Sequence, residues 1–368
     1  MRKNYQPRLD ASTREAFGVN CRALFSRERV RNMEHMEDRF GHRISYLRVS
    51  ITDRCNERCT YCMPRELQEW LPREGILSFE ETLRLIRIAA RLGVKKVRVT
   101  GGEPLTRRDV LPFCQDLARV SGIDDIGIST NGTLLAREVR PGKPMAFALR
   151  EAGVRTVNIS LDTLDREDYR LTTGRDLLPE ALAGIESAIE AGFEQIKLNC
   201  VLMRGRNEEQ LRPLVEFADE RNLLLRFIEL MPVSTNEVLE EGNFFPIRAA
   251  QRQLEERYGA LMPEPQFRTN GPATYYQIPG RKQRIGFIGA MTNLHFCESC
   301  NKLRLTCDGK LRPCLGSYLE FDIMKVMRAG ASDAELERFF LDVVERKPQQ
   351  HDFRDNYQTN RKMVAIGG

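Results

Sequence analysis

No stretch of this 368-residue chain approaches the roughly 18 to 20 uninterrupted apolar residues that a membrane-spanning helix needs. The mean hydropathy is −0.44, which agrees. The first residues lack an apolar core of the signal-peptide kind. Asp10, Glu15, Glu28, Glu34, Glu37 and Asp38 also argue against an organellar presequence, so the expectation is a cytoplasmic protein with no membrane partner. Solenoid repeats and low-complexity tracts are absent. Charge of one sign is not in strong excess either: 57 Lys/Arg face 52 Asp/Glu, and residues 1–42 alone hold nine basic against six acidic side chains. That balance suits an anionic small molecule held by a few placed cations better than a nucleic acid held by a basic face. Ten cysteines are too few for a disulfide scaffold, and in a reducing compartment their clustering is read as metal binding or catalysis.

What is present is a soluble globular composition, 41% hydrophobic and 30% charged, with a length that predicts one large unit and an appendage. After the polar segment 1–42, β-rich runs recur at 44–52, 95–100, 125–130, 156–161, 196–203 and 223–231. Between them lie stretches such as 79–92, 179–191 and 207–220, whose apolar residues return every three or four positions. Strand followed by helix, repeated, implies parallel strands joined by right-handed crossovers. Six such units are too short a ring to close like an eight-stranded barrel. The expected fold is therefore α/β, a partial (β/α)6 TIM-like barrel over 43–232, with 1–42 a basic extension and 233–368 a C-terminal region. That last region should hold a helix near 246–257, hairpin-like runs at 273–279 and 284–289, and two amphipathic helices within 319–345.

In such folds chemistry sits at the carboxyl ends of the strands. There the chain places Asp53, Arg54 and the first cysteine group, then Gly101-Gly102-Glu103-Pro104, then Asn131-Gly132, then Asp162-Thr163. Cys55, Cys59 and Cys62 form CxxxCxxC in a polar, loop-like context. Three thiolates supply three irons of a cubane and leave the fourth open, whereas an ordinary ferredoxin cluster uses four cysteines. The alternative is one buried helix face. Gly101 and Gly102 could equally mark a turn of positive φ, and 129–132 a plain turn before a helix.

A second group, Cys297, Cys300 and Cys314, lies beside His295 and has the composition of a structural Cys3His zinc site. With Lys302, Arg304, Lys310 and Arg312 nearby, it also admits a zinc module that binds nucleic acid. Cys21, Cys114, Cys200 and Cys307 read as small core hydrophobes, the alternative for Cys307, inside the same run, being a fourth ligand.

CxxxCxxC with Tyr61 before the last cysteine, after the first strand of this pattern, resembles the radical S-adenosylmethionine superfamily. The resemblance implies that Cys55, Cys59 and Cys62 hold a catalytic 4Fe-4S cluster whose open iron chelates S-adenosylmethionine, from which a 5'-deoxyadenosyl radical is released. It further implies that Tyr61, Gly102, Glu103, Ser129, Thr130, Asn131 and Met231 contact that cofactor. The runs TDRCNERCTYCMP at 52–64, RVTGGEPL at 98–105, LRFIELMP at 225–232 and FCESCNKLRLTCDGKLRPCL at 296–315, with the terminal Gly367-Gly368, are together similar to the GTP 3',8-cyclase family of molybdenum cofactor biosynthesis.

That narrower resemblance implies a second 4Fe-4S cluster on Cys297, Cys300 and Cys314, whose open iron binds the guanine of GTP. It also implies a lyase reaction in which the 3' hydrogen of the ribose is removed and the carbon closes onto C8. The triphosphate needs converging cations, and Arg48, Lys96, Arg98, Lys197, Arg226, Lys302 and Arg304 match family contact positions. Gly367 and Gly368 are implied to enter the active site. The family commonly has arginine where this chain has Lys302, which keeps the charge and loses the bidentate fork. Partners implied are a reducing electron donor, the next pathway enzyme (cyclic pyranopterin monophosphate synthase) and a second copy in a homodimer. A different radical enzyme with an auxiliary cluster, for example one that modifies a peptide, stands as the alternative within the same class.

Overall fold

The computed structural model describes residues 35–367 apart from 64–68, 236–237, 240–241, 270, 356 and 358–359. Most of the extension expected at 1–42, with Cys21, and the terminal Gly368 lie outside the described residues.

The framework is one sheet of twelve strands. In chain order the strands are β1 (Tyr46–Ser50), β2 (Lys96–Thr100), β3 (Asp125–Thr130), a small separate hairpin of β4 (Glu138–Arg140) and β5 (Lys143–Pro144), β6 (Thr156–Ser160), β7 (Gln195–Leu202) and β8 (Leu224–Glu229). They continue with β9 (Met262–Pro263), β10 (Thr274–Gln277), β11 (Arg284–Ile288), β12 (Lys302–Leu305), β13 (Lys310–Arg312) and β14 (Phe321–Asp322). The spatial order is β14-β13-β12-β1-β2-β3-β6-β7-β8-β11-β10-β9. From β12 to β11 every pairing is parallel. Antiparallel hairpin partners finish both edges.

The six runs expected from alternation are β1, β2, β3, β6, β7 and β8. The expected C-terminal hairpin is β10 with β11, and the expected helices are Ile247–Tyr258, Ile323–Arg328 and Asp333–Glu345. Two features exceed the six-unit expectation. β11 pairs in parallel with β8, and β12, lying inside the second cysteine run, pairs in parallel with β1. The C-terminal region thus extends the parallel sheet at each side, because its own short strands would otherwise leave their backbone groups and those of β1 and β8 unpaired.

A parallel sheet covered on both faces ordinarily reads as continuous hydrophobic strands. Here the strands alternate. Leu47, Val49, Val97, Val99, Ile126, Ile128, Val157, Ile159, Leu198, Leu225, Phe227, Leu303 and Leu305 form the buried core on one face. That core takes in helices such as Phe79–Arg91, whose Ser78 and Glu81 close a capping box. The intervening residues, among them Tyr46, Arg48, Arg98, Asn158, Lys197, Arg226 and Arg304, point to the opposite face. Several of these polar side chains are buried as well, including Arg98, Lys197 and Arg226. Charges are kept out of water on a concave face only where they meet partners or a ligand.

Candidate active site

The first cysteine group lies on the irregular loop that leaves β1, at the carboxyl end of the sheet. Cys55, Cys59 and Cys62 are half-buried free thiols. Burial, then the nearby Glu103 carboxylate, pushes the Cys55 thiol up; burial and Glu57 push Cys59 and Cys62 up, the latter to about 12. Gly101 and Gly102 explain how this loop sits so close to β2. Neither has a positive φ, so the turn explanation fails. A Cβ on Gly102 would lie 2.2 Å from the Arg54 carbonyl oxygen, and one on Gly101 would lie 2.7 Å from that of Thr52. The Gly102 amide donates to Thr52 O at 2.7 Å, and the Glu103 amide to Arg54 O at 2.8 Å. Only a bare backbone fits here.

Glu103 is 1% exposed and ties three elements together. Its Oε1 accepts from the Leu105 amide at 3.0 Å and from Thr130 Oγ1 at 2.8 Å; its Oε2 accepts from the Asn131 amide at 2.8 Å. Burial raises its carboxyl to about 7 against these donors. Asn131 Nδ2 donates to Asn56 Oδ1 at 2.9 Å, which fastens the cysteine loop to the end of β3. The Ser129 hydroxyl is buried without a hydrogen-bond partner. The Tyr61 ring packs with Cys59 and Cys62, and its hydroxyl donates to Asp162 Oδ2 at 2.8 Å. Met231 packs in an apolar cluster with Phe296, Leu315, Phe353 and Met363. Leu230, its neighbour, is the residue that packs with Tyr61, Cys59 and Cys62.

Along the concave face the parallel register puts Arg304, Arg48 and Arg98 level on adjacent strands, with Lys302, Tyr46 and Lys96 level one step below. Arg98 is held by the protein: it donates to Tyr46 Oη at 3.1 Å, Ile128 O at 3.0 Å and Thr156 Oγ1 at 3.0 Å. Gly127 makes that reach possible, since a Cβ there would be 2.3 Å from the Arg98 Cζ. Gly286 leaves room for the Tyr275 ring, 2.7 Å from a Cβ there, and for the stem of Arg226 at 3.0 Å; the Arg226 Nη2 donates to Asn199 Oδ1 at 2.6 Å. Lys96 pairs with Asp125 at 3.8 Å. Lys197 is 2% exposed, and burial followed by repulsion from Arg226 and Arg98 pushes its amine down to about 7. Burial and Arg48 push Arg304 down to about 9. Tyr46 moves the other way from most buried phenols. Although burial opposes it, the surrounding Arg98, Arg48 and Lys302 bring it down to about 8. So many mutually repelling cations, drawn from five strands onto one face, complement a polyanion.

The second cysteine group flanks this face. Cys297, Cys300 and Cys314 are half-buried free thiols. Lys347 Nζ lies 3.5 Å from the Cys300 Sγ and donates to Pro313 O and Lys302 O. Burial acts to raise the Cys300 thiol, but Lys347 and Lys302 leave it below its ordinary value. His295 is turned out, its side chain 75% exposed and its Nδ1 engaged with Glu298 at 2.6 Å. Cys307 faces Ser50, Asp53 and Arg107 instead of the triad. Beside the group opens a cleft of 470 Å³ lined by Phe267, Tyr275, Tyr276, Phe296, Asn301 and Lys302.

The C-terminal segment comes to the same place. Gly367, at φ +79°, would clash through a Cβ with Ser50 and Thr100 at 2.9 Å, and its carbonyl accepts from Arg304 Nη1 at 2.6 Å. Sequence reasoning overlooked Tyr46, Gly127, Asn199, Gly286 and Lys347. Strand alternation was the available signal for Tyr46, two residues before Arg48, and none marked the glycines.

Among the described residues no three His, Cys, Asp or Glu side chains converge on one point as a single ion requires. A cubane spreads its thiolate ligands over different irons, so three soft, half-buried, unbridged thiols on one loop fit a cluster better than a lone zinc ion. The Radical SAM superfamily model matches residues 49–218, and the Molybdenum Cofactor Synthesis C model matches residues 223–353. Streptococcus suis SuiB shares the fold at TM-score 0.58 and 16% identity, over 85% of this chain and 69% of its own. Fold, cysteine loop and strand-end contacts define a radical S-adenosylmethionine protein, a class that uses a 4Fe-4S cluster and S-adenosylmethionine. The relatives named GTP 3',8-cyclase from Thermodesulfovibrio yellowstonii and Moorella thermoacetica are each 42% identical over 90% of this chain and 100% of their own length. The chain belongs to the GTP 3',8-cyclase family.

Proposed function

We propose that this protein cyclises GTP between its 3' carbon and C8 in molybdenum cofactor biosynthesis, with one cluster on Cys55, Cys59 and Cys62 and a second on Cys297, Cys300 and Cys314. The observation that carries the reading is the cation-lined concave face running between the two cysteine groups. When bound, the first cluster with S-adenosylmethionine supplies the 5'-deoxyadenosyl radical that takes the 3' hydrogen.

The chain's own residues do the rest. Glu103, fixed by Thr130 and the Asn131 amide, presents carboxylate oxygen toward the methionyl end, with Ser129 supplying a hydroxyl free to bond a ligand. Lys197, Arg226, Arg48, Lys302 and Arg304 hold the triphosphate, while Arg98 and Tyr46 form a rigid floor beneath it. Substrate held by remote charges is oriented at its reacting end. The electron must come from an external reducing donor. Hand-over to cyclic pyranopterin monophosphate synthase, work as a homodimer and a cytoplasmic setting belong to the same reading.

The test is anaerobic reconstitution with reductant, S-adenosylmethionine and GTP. Expected are 5'-deoxyadenosine and a cyclised dihydro-GTP, with Cys55→Ala abolishing both and Cys300→Ala chiefly abolishing cyclisation. Fully loaded protein that forms neither product, or wild-type turnover in either variant, refutes the reading.

A further inference from the structure

The segment Asn360–Gly367 bridges the two cysteine groups, and its base is held by an ion-pair cluster. Arg361 Nη1 and Nη2 grip Asp308 Oδ1 and Oδ2 at 3.0 and 2.9 Å, while Nη2 and Nε grip Glu320 Oε1 and Oε2 at 3.1 and 2.7 Å. One guanidinium thus serves two carboxylates, both bidentately, the geometry that gives arginine its directional strength. Arg312, fully buried, shares Glu320 at 2.8 Å and fixes Ser317 O at 2.6 Å, so two positive charges balance two negative ones. The partners are not arbitrary. Asp308 sits on the turn between β12 and β13, on the chain that connects Cys300 to Cys314, and Glu320 follows Cys314.

From this base the segment forms one helical turn, Met363–Ile366, with Val364 and Ile366 buried. The Val364 backbone lies beside the Cys62 thiol and favours its charged form. Gly367 then lodges between Ser50 and Thr100 and bonds Arg304. A four-residue turn has too few hydrogen bonds to hold itself. Its placement depends on the burial of Val364 and Ile366 and on the anchor behind them.

We propose that Arg361 is a positioning residue for the reaction: clamped by Asp308 and Glu320 on the second cysteine module, it holds Gly367 beside Ser50, Thr100 and Arg304 at the substrate face. The inference rests on the GTP-cyclase reading of that face. The clamp sets where the segment sits; it touches neither substrate nor cofactor.

The experiment uses cluster-loaded, anaerobic full-length protein in the wild type, Arg361→Ala, Arg361→Lys and Asp308→Asn. Hydrogen–deuterium exchange over Met363–Gly367 and steady-state GTP cyclisation are both read. In Arg361→Ala the segment is expected to exchange faster and kcat to fall about tenfold or more, the size expected for losing a partly buried charge-assisted pair. Arg361→Lys should lie between wild type and alanine, Asp308→Asn should move in the same direction, and iron and sulfide content should stay at the wild-type level. Wild-type exchange and kcat in Arg361→Ala would overturn the proposal. So would a fall in kcat that merely follows loss of iron or a lower melting temperature in both the Arg361 and the Asp308 variants. If wild-type protein forms no cyclised product, the functional reading fails, while the exchange data still decide the clamp.

Discussion

Lys197→Met isolates the electrostatics of the concave face. Lys197 is 2% exposed, on the face that also carries Arg226 from the adjacent β8 and Arg98 from β2, and its amine is pushed down to about 7 by burial first and by those cations second. At 1.36 kcal/mol per pH unit, a fall from 10.5 to about 7 is about 5 kcal/mol that folding spends on keeping this lysine charged. The sign follows from proton counts. Between about pH 7 and about pH 10.4 the unfolded chain holds this proton and the folded one does not, so the lysine's contribution to stability rises with pH across that window. Below pH 7 the full cost is present.

Methionine keeps the stem and removes the charge. The variant should therefore melt higher than wild type at pH 6.5, with the gap closing toward pH 10. Substrate binding responds in the opposite sense. With only the charged amine competent, about half the wild-type protein is ready at pH 7 and about a tenth at pH 8, so the KM for GTP should rise about fivefold over that unit. In Lys197→Met the KM should be higher throughout and should lose this component of the slope. Thermal melts and KM profiles of loaded protein between pH 6.5 and 8 suffice. A variant less stable than wild type at pH 6.5, or one that retains the full wild-type KM slope, refutes the reasoning.

Gly127→Ala should cost about 1–3 kcal/mol in a denaturant melt and raise the KM for GTP, because its methyl lands 2.3 Å from the Arg98 Cζ and must dislodge the guanidinium from Tyr46. Gly102→Ala should cost a similar about 1–3 kcal/mol and lower bound iron and sulfide, since the obstacle at 2.2 Å is the Arg54 backbone carbonyl, which has no rotamer to change. His295→Ala should leave metal content and turnover unchanged, because the ring is turned out toward Glu298; a drop in bound metal would revive the Cys3His zinc site.

The residues that reach the concave face were legible where a local pattern carried them. Alternation set Lys96 and Arg98 on one side of their strand, because successive side chains in a strand must point to opposite faces, whereas Lys197, Arg226 and Arg48 came from the family resemblance. The same rule, applied two residues before Arg48, would have added Tyr46. Gly101 and Gly102 were noticed for the wrong property: their φ values are ordinary, and it is the backbone of residues 52–54 passing beside them that excludes a side chain. The contact comes from a segment nearly fifty positions away, and no window of sequence contains it.

By itself the sequence determined the strand and helix periodicity and the two cysteine triads, because each is a property of neighbouring residues. Only the tertiary structure decided that β11 and β12 continue the parallel sheet, that His295 and Cys307 stand apart from the second triad, and that Arg361 anchors the segment ending at Gly367. Those outcomes depend on backbone pairing and charge pairing between segments distant in the chain, where the partner of each group is chosen by packing and not by spacing.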